Sequence, residues 1–233
     1  MKNLILASTS TLHQGQYLSY LLTALESLFA KANSVLFIPF ARPGGISHEA
    51  YTQLARKGLT PLNKKVVGLH DFEDKVAALE EAEAIITGGG NTFVLVNTMY
   101  QYGIMETLRQ QLHQGTPYLG TSAGSNLAGL TMQTTNDMPI VYPPSFKTLG
   151  MVPFNINAHY LDPQPNSTHM GETRQTRIKE FHAFNAIPVV GLREGSWIQV
   201  QEEQSKLMGP HSARIFQRDQ EAFELASGDL LLL

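Results

Sequence analysis

Pro117-Tyr118-Leu119-Gly120-Thr121-Ser122-Ala123-Gly124 is the stretch whose reading decides the fold. Residues 117–120 read as a short buried strand. Gly120 to Gly124 fits G-x-S-x-G, and a plausible helix over 125–130 follows. A sharp strand-to-helix turn of this kind projects a serine Oγ from the carboxyl edge of a sheet, and small neighbours permit the strained backbone. The amide of Ala123 then lies beside any oxyanion that forms on a substrate carbonyl. An ordinary Gly-rich βα turn fits the same five residues, so the surrounding pattern has to decide.

Upstream the pattern is a repeated strand and helix. Leu4–Ala7, Val35–Ile38, Val66–Leu69 and Ala84–Ile86 are short apolar runs ended by polar, Pro or Gly residues, which makes 117–120 the fifth strand. Leu18, Leu21, Leu22, Leu25, Leu28 and Phe29 recur at three- and four-residue spacing, the stripe of an amphipathic helix. Further helices are expected over 49–57, 71–81 and 91–113. Buried strands alternating with helices predict an α/β fold: a mostly parallel, doubly wound sheet with helices on both faces and right-handed crossovers. Beyond Asn126, Pro139, Pro143, Pro144, Pro153, Pro163 and Pro165 break the rhythm into loops. A helix over 172–184, with Ile178, Phe181 and Phe184 towards the core, then precedes a buried strand at Val189–Leu192. Short β segments fill 197 to the end. No repeat or linker interrupts the 233 residues, so a single domain over 1–233 is expected.

Composition narrows the chemistry. Seventeen basic against twenty acidic residues, without a Lys/Arg run, give a nucleic-acid role little support. The absence of cysteine excludes disulfides, thiolate metal sites and a cysteine nucleophile together. No apolar stretch approaches the ~18 residues of a membrane span, and the N-terminal run is too short for a secretory leader. A cytoplasmic protein without a membrane association is expected.

A serine nucleophile needs a base and an oxyanion site. Gly88-Gly89-Gly90-Asn91 is a second Gly-rich turn at a strand's carboxyl end, where open α/β sheets hold their ligands. With Ala123, residues Gly89 and Gly90 are read as the oxyanion hole. Histidines stand at 13, 48, 70, 113, 159, 169, 182 and 211. His159 is preferred because it follows Phe154-Asn155-Ile156-Asn157-Ala158, an alternating run that would hold it at a strand end. His182, within a helix, reads as structural. Two carboxylates compete to orient the imidazole. Asp137 lies in a polar loop beyond the nucleophile's helix, and Glu194 follows the strand 189–192. No H-E-x-x-H occurs, so neither a metal nor a cofactor is expected.

Six segments together are similar to the peptidase E family of α-aspartyl dipeptidases, related to cyanophycinases and built like class I glutamine amidotransferases. They are Gly-Gly-Gly-Asn-Thr-Phe (88–93), Ser-Ala-Gly-x-Asn (122–126), Thr-Thr-Asn-Asp-Met-Pro-Ile-Val (134–141), Asn-x-His (157–159), Gly-Glu-Thr-Arg (171–174) and Glu-Gly-x-Trp-Ile (194–198). The resemblance implies metal-free cleavage of dipeptides with N-terminal aspartate through an acyl-enzyme. It sets Ser122, His159 and Asp137 where the family's charge-relay residues are assigned, and Glu194 where an alternative acid has been proposed. The acidic substrate has a counterpart in Arg174 and Arg177, which share a helix face at i and i+3; Arg174 is expected to pair with the aspartyl side chain. The sequence departs from close relatives at Thr121, Ala158 and Arg193, and Arg193 could compete for Glu194 as an ion-pair partner. A cyanophycinase-like β-aspartyl peptidase and a noncatalytic, flavodoxin-like anion-binding module are the competing readings. The Pro-rich loops over 139–168 are expected to close the cleft against longer peptides.

Overall fold

The computed structural model describes residues 1–163, 168 and 170–233. Five parallel strands form most of the main sheet: β1 (Asn3–Ala7), β2 (Ser34–Ile38), β3 (Lys65–Gly68), β4 (Ile85–Thr87) and β5 (Tyr118–Thr121). They run in the order β3-β2-β4-β5-β1, so β1 lies beside β5 at the sheet's centre. An antiparallel hairpin of β8 (Trp197–Gln201) and β9 (Gln204–Met208) pairs with β1 and extends that edge.

The strands are apolar at nearly every position because both faces are covered. Side-chain alternation sends Leu4, Leu6, Leu36 and Ile38 to one face, against α3 (Lys75–Glu80), α4 (Thr92–Gln101) and α5 (Met105–Gln114). Ile5, Ala7, Val35 and Phe37 go to the other, against α1 (Leu22–Leu28) and α2 (His48–Leu59). The sheet is therefore doubly wound, as its rhythm predicts. Each fully buried leucine on these faces contributes roughly 1.5–3 kcal/mol relative to leaving it in water.

The expected single helix over 91–113 is two. Gly103, at φ 67°, takes the left-handed conformation that ends α4, and the buried Ile104 starts the chain towards α5. The helical turn after Ser122 is also shorter than expected: α6 spans Ala123–Asn126.

A second sheet carries the later part of the chain. Its order is β11-β10-β7-β6, with β6 (Asn155–Ala158) parallel to β7 (Val189–Leu192) and β10 (Ala213–Phe216) and β11 (Phe223–Leu225) antiparallel. The sequence identified these strands without separating them from the main sheet. Phe154, Ile156, Val190, Leu192 and Ile215 join the core cluster of the main sheet, so the two sheets share one apolar interior. On the far face of the second sheet, α7 (Arg174–Phe184) packs Ile178 against Val189 and Phe216. Phe184, expected in the core, is 91% exposed. Six residues beyond Ile178 it has rotated about 240° from the buried face.

Candidate active site

β5 runs into α6 through Ser122, which has φ 53° and ψ −108°. A non-glycine residue there stores about 1–3 kcal/mol of strain. The surroundings enforce it: the Ser122 amide donates to the Ala7 carbonyl at 3.0 Å, and the Ser122 carbonyl accepts from the amides of Ser125 and Asn126, both at 2.9 Å. Glycine at 120 is compulsory, because any side chain would run into the Gly124 carbonyl. The loop after β4 passes so close that a Cβ on Gly89 would sit 3.0 Å from the Ser122 Cβ.

His159 reaches this serine from the second sheet. It follows β6, has φ 54°, and places Nε2 2.9 Å from Ser122 Oγ. Its Nδ1 lies 2.6 Å from Oε1 of Glu194. The parallel register pairs Ala158 with Leu192, so the residues just past the ends of β6 and β7 emerge side by side. Imidazole and carboxylate are thus set by one sheet and the hydroxyl by the other.

Asp137 is not part of this chain of bonds. Its Oδ2 accepts from the Thr92 amide at 2.7 Å and from Thr135 Oγ1 at 2.8 Å, capping the start of α4. Asn91 Nδ2 donates to the Met138 carbonyl at 2.9 Å, so the loop of Asp137 is tied to the end of the glycine turn. The local polar cluster that drew attention to Asp137 is a helix-capping network. Arg193 does not compete for Glu194 either: its guanidinium pairs with Asp162 and Glu224, both at 2.8 Å, and stacks over Tyr160.

The glycine turn presents donors. Gly90, at φ 142°, lies so close to the Ala41 carbonyl that no side chain fits. The Gly89 carbonyl accepts from Tyr51 Oη at 3.1 Å and Arg42 Nε at 3.2 Å. In a trans peptide this turns the Gly90 N–H the opposite way, away from Tyr51. No hydrogen bond among the described residues uses the amides of Gly89, Gly90 or Ala123. Arg174, first residue of α7, is half-buried and has no ion-pair partner among the described residues. Burial and the neighbouring Arg177 hold its pKa below the ordinary arginine value, against the opposing pull of Asp137, Glu194 and Tyr160.

Three residues that sequence reading did not mark support the site: Ser8, Tyr51 and Arg42. None carries a local signal, since each acts on backbone brought near by the fold. His182 is buried with Nε2 3.0 Å from the Ile187 carbonyl, a structural role. His169 and residues 164–167 of the Pro-rich stretch lie outside the described residues. Among those described, Glu49, His70 and Asp71 bring potential metal-ligand atoms within 4.8 Å of one another, on α2 and just beyond β3 rather than at Ser122. No helix among the described residues is long and apolar enough to cross a membrane.

Over residues 4–208 the sequence matches Peptidase family S51. The chain belongs to that family. This S51 peptidase is 47% identical over 228 residues to a Drosophila melanogaster protein named "Probable alpha-aspartyl dipeptidase", covering 97% of this chain and 94% of the relative. It is 46% identical over 226 residues to the "Peptidase E" of Streptomyces coelicolor, covering 97% and 92%. In fold it is similar to a crystal structure of a peptidase from an acI-B1 Actinobacterium, with a TM-score of 0.74 at 16% identity, over 99% of this chain and 96% of the other.

Proposed function

We propose that this S51 peptidase is a cytoplasmic serine dipeptidase that releases N-terminal aspartate from dipeptides, with Ser122 as nucleophile, His159 as base and Glu194 as the orienting acid. The observation that carries the reading is the continuous path from Ser122 Oγ through Nε2 and Nδ1 of His159 to Glu194, at 2.9 and 2.6 Å.

The chemistry follows from that path. Ser122 Oγ attacks the scissile carbonyl carbon while its proton passes to His159 Nε2. Glu194 keeps the remaining imidazole proton on Nδ1 and stabilises the imidazolium. Negative charge on the former carbonyl oxygen is met by the amides of Gly89, Gly90 and Ala123, whose freedom from other partners suits them to this role. Histidine then returns the proton to the leaving amine, and water, activated the same way, hydrolyses the aspartyl ester. The half-buried Arg174 supplies a cation for the substrate's β-carboxylate, and the name of the Drosophila relative supports aspartate at that position.

A panel of Asp-Leu, Asn-Leu, Glu-Leu and β-Asp-Arg tests the substrate. Hydrolysis of Asp-Leu well above the other three is expected. Preference for β-Asp-Arg would move the protein to the cyanophycinase-like reading, and inertness towards the whole panel would contradict both.

A further inference from the structure

We infer that the buried hydroxyl of Ser8 is the positioning element that holds the base His159 on its nucleophile, an inference that rests on the serine-peptidase reading above. Ser8 follows β1 directly and its side chain has no solvent exposure. Its Oγ donates to the Leu192 carbonyl at 2.7 Å and accepts from the His159 amide at 2.9 Å. One hydroxyl therefore joins the end of β1, in the main sheet, to the ends of β6 and β7, which carry the imidazole and the carboxylate.

The register shows what the hydroxyl changes. Between parallel strands, amides two residues apart bond to carbonyls two residues apart. The Asn155 amide donates to the Pro188 carbonyl, so continuation of that ladder would give the Leu192 carbonyl to the His159 amide. That bond is not made. The Ser8 hydroxyl stands between the two groups, and the amide of Tyr160, one residue later, reaches the Leu192 carbonyl at 3.1 Å. His159 is the extra residue, bulged out of the ladder with φ 54°, a left-handed conformation that a histidine adopts at a cost. The neighbouring residue of β1 completes the arrangement: the Ala7 carbonyl accepts the Ser122 amide at 3.0 Å. Two consecutive residues, 7 and 8, thus fix nucleophile and base to one point of the chain.

Without the hydroxyl, the His159 amide loses its partner while the Leu192 carbonyl keeps Tyr160. The cheapest repair is for residue 159 to fall back into the regular ladder, which withdraws the imidazole from Ser122. Misplacement of a catalytic group by about 1 Å typically costs on the order of 10²-fold in rate. Ser8→Ala should therefore lower kcat for Asp-Leu by roughly 10–10²-fold with KM changed by less than about twofold, because substrate contacts are untouched. Phosphonylation of Ser122 by a serine-directed fluorophosphonate should slow in parallel.

The deciding readout is non-additivity. In a His159→Ala background the same Ser8→Ala change should alter the residual phosphonylation rate by less than about twofold, since the residue through which it acts has gone. Ser8→Cys, of similar size and with only a weak donor, carries the same comparison should the alanine variant fail to fold. Folded Ser8 variants with wild-type kcat, or a loss of equal size in both backgrounds, would overturn the inference. Activity that survives Ser122→Ala would instead overturn the serine-peptidase reading itself.

Discussion

His159 Nδ1 and Glu194 Oε1 are 2.6 Å apart, a bond between residues one and two positions past the paired ends of two adjacent parallel strands. Both side chains are partly open to solvent, so the carboxylate needs no other charge to balance it. Its neighbour in sequence, Arg193, is turned away into a network with Asp162 and Glu224. Among the described residues, the hydrogen bond and ion pair of the Glu194 carboxylate are made with the imidazole.

Exchange of each candidate acid for its amide separates their roles. Glu194→Gln should reduce kcat by about 10²–10⁴-fold, because the amide no longer enforces the tautomer with the proton on Nδ1. Asp137→Asn should act mainly on stability, since the exchange removes the negative charge that meets the Thr92 amide at the start of α4, worth about 0.3–1 kcal/mol. Measured kcat and melting temperature for the two variants check this. A collapse of kcat in Asp137→Asn with Glu194→Gln nearly unaffected would reverse the assignment.

Arg174→Met should raise KM for Asp-Leu while kcat for a neutral dipeptide stays near wild type. Hydrogen bonds to a charged group contribute about 1.5–3 kcal/mol, which corresponds to roughly 10–10²-fold in affinity. Steady-state kinetics on Asp-Leu and Asn-Leu check the point; unchanged discrimination between them would remove Arg174 from the substrate site.

Glu224 predicts a particular acid limb of stability. Hydrogen bonds from Arg193, then those from Ser212 and Arg214, outweigh partial burial and bring its carboxyl down to about 2. A carboxylate depressed in the folded state stabilises fully above its unfolded value of about 4.3, and that contribution is lost as pH falls towards the folded value. Glu224→Gln should therefore lower the melting temperature at pH 7 and change little at pH 2, narrowing the gap between the two. Equal destabilisation at both values would show that the Arg193 network acts through packing rather than charge. Because Arg193 precedes Glu194, the variant should also loosen the acid and lower kcat modestly.

Local signals carried much of this. Apolar runs of four or five residues marked the parallel strands because burial on both faces leaves no room for polar positions, and the glycines around Ser122 marked the turn because backbone passes within contact distance there. Other features depend on contacts distant in sequence. Residues 155–158 and 189–192 read as strands, but nothing in them tells which sheet they join. Asp137 and Glu194 were equally eligible until the fold showed one capping a helix and the other beside an imidazole. Ser8 was invisible for the same reason: its hydroxyl bonds residues 151 and 184 positions away. Gly103 alone does not divide the stretch 91–113 in the sequence, because one glycine inside a helical pattern is often tolerated.

Turnover through Ser122 and His159 requires covalent acylation of Ser122. Its most direct measurement is intact-protein mass after reaction with a fluorophosphonate, read beside Asp-Leu hydrolysis, for wild type, Ser122→Ala and His159→Ala. A single adduct on Ser122 with loss of hydrolysis is expected in wild type, with slow labelling in His159→Ala and neither adduct nor hydrolysis in Ser122→Ala. Hydrolysis of Asp-Leu by Ser122→Ala at the wild-type rate would show that a group other than Ser122 attacks the carbonyl.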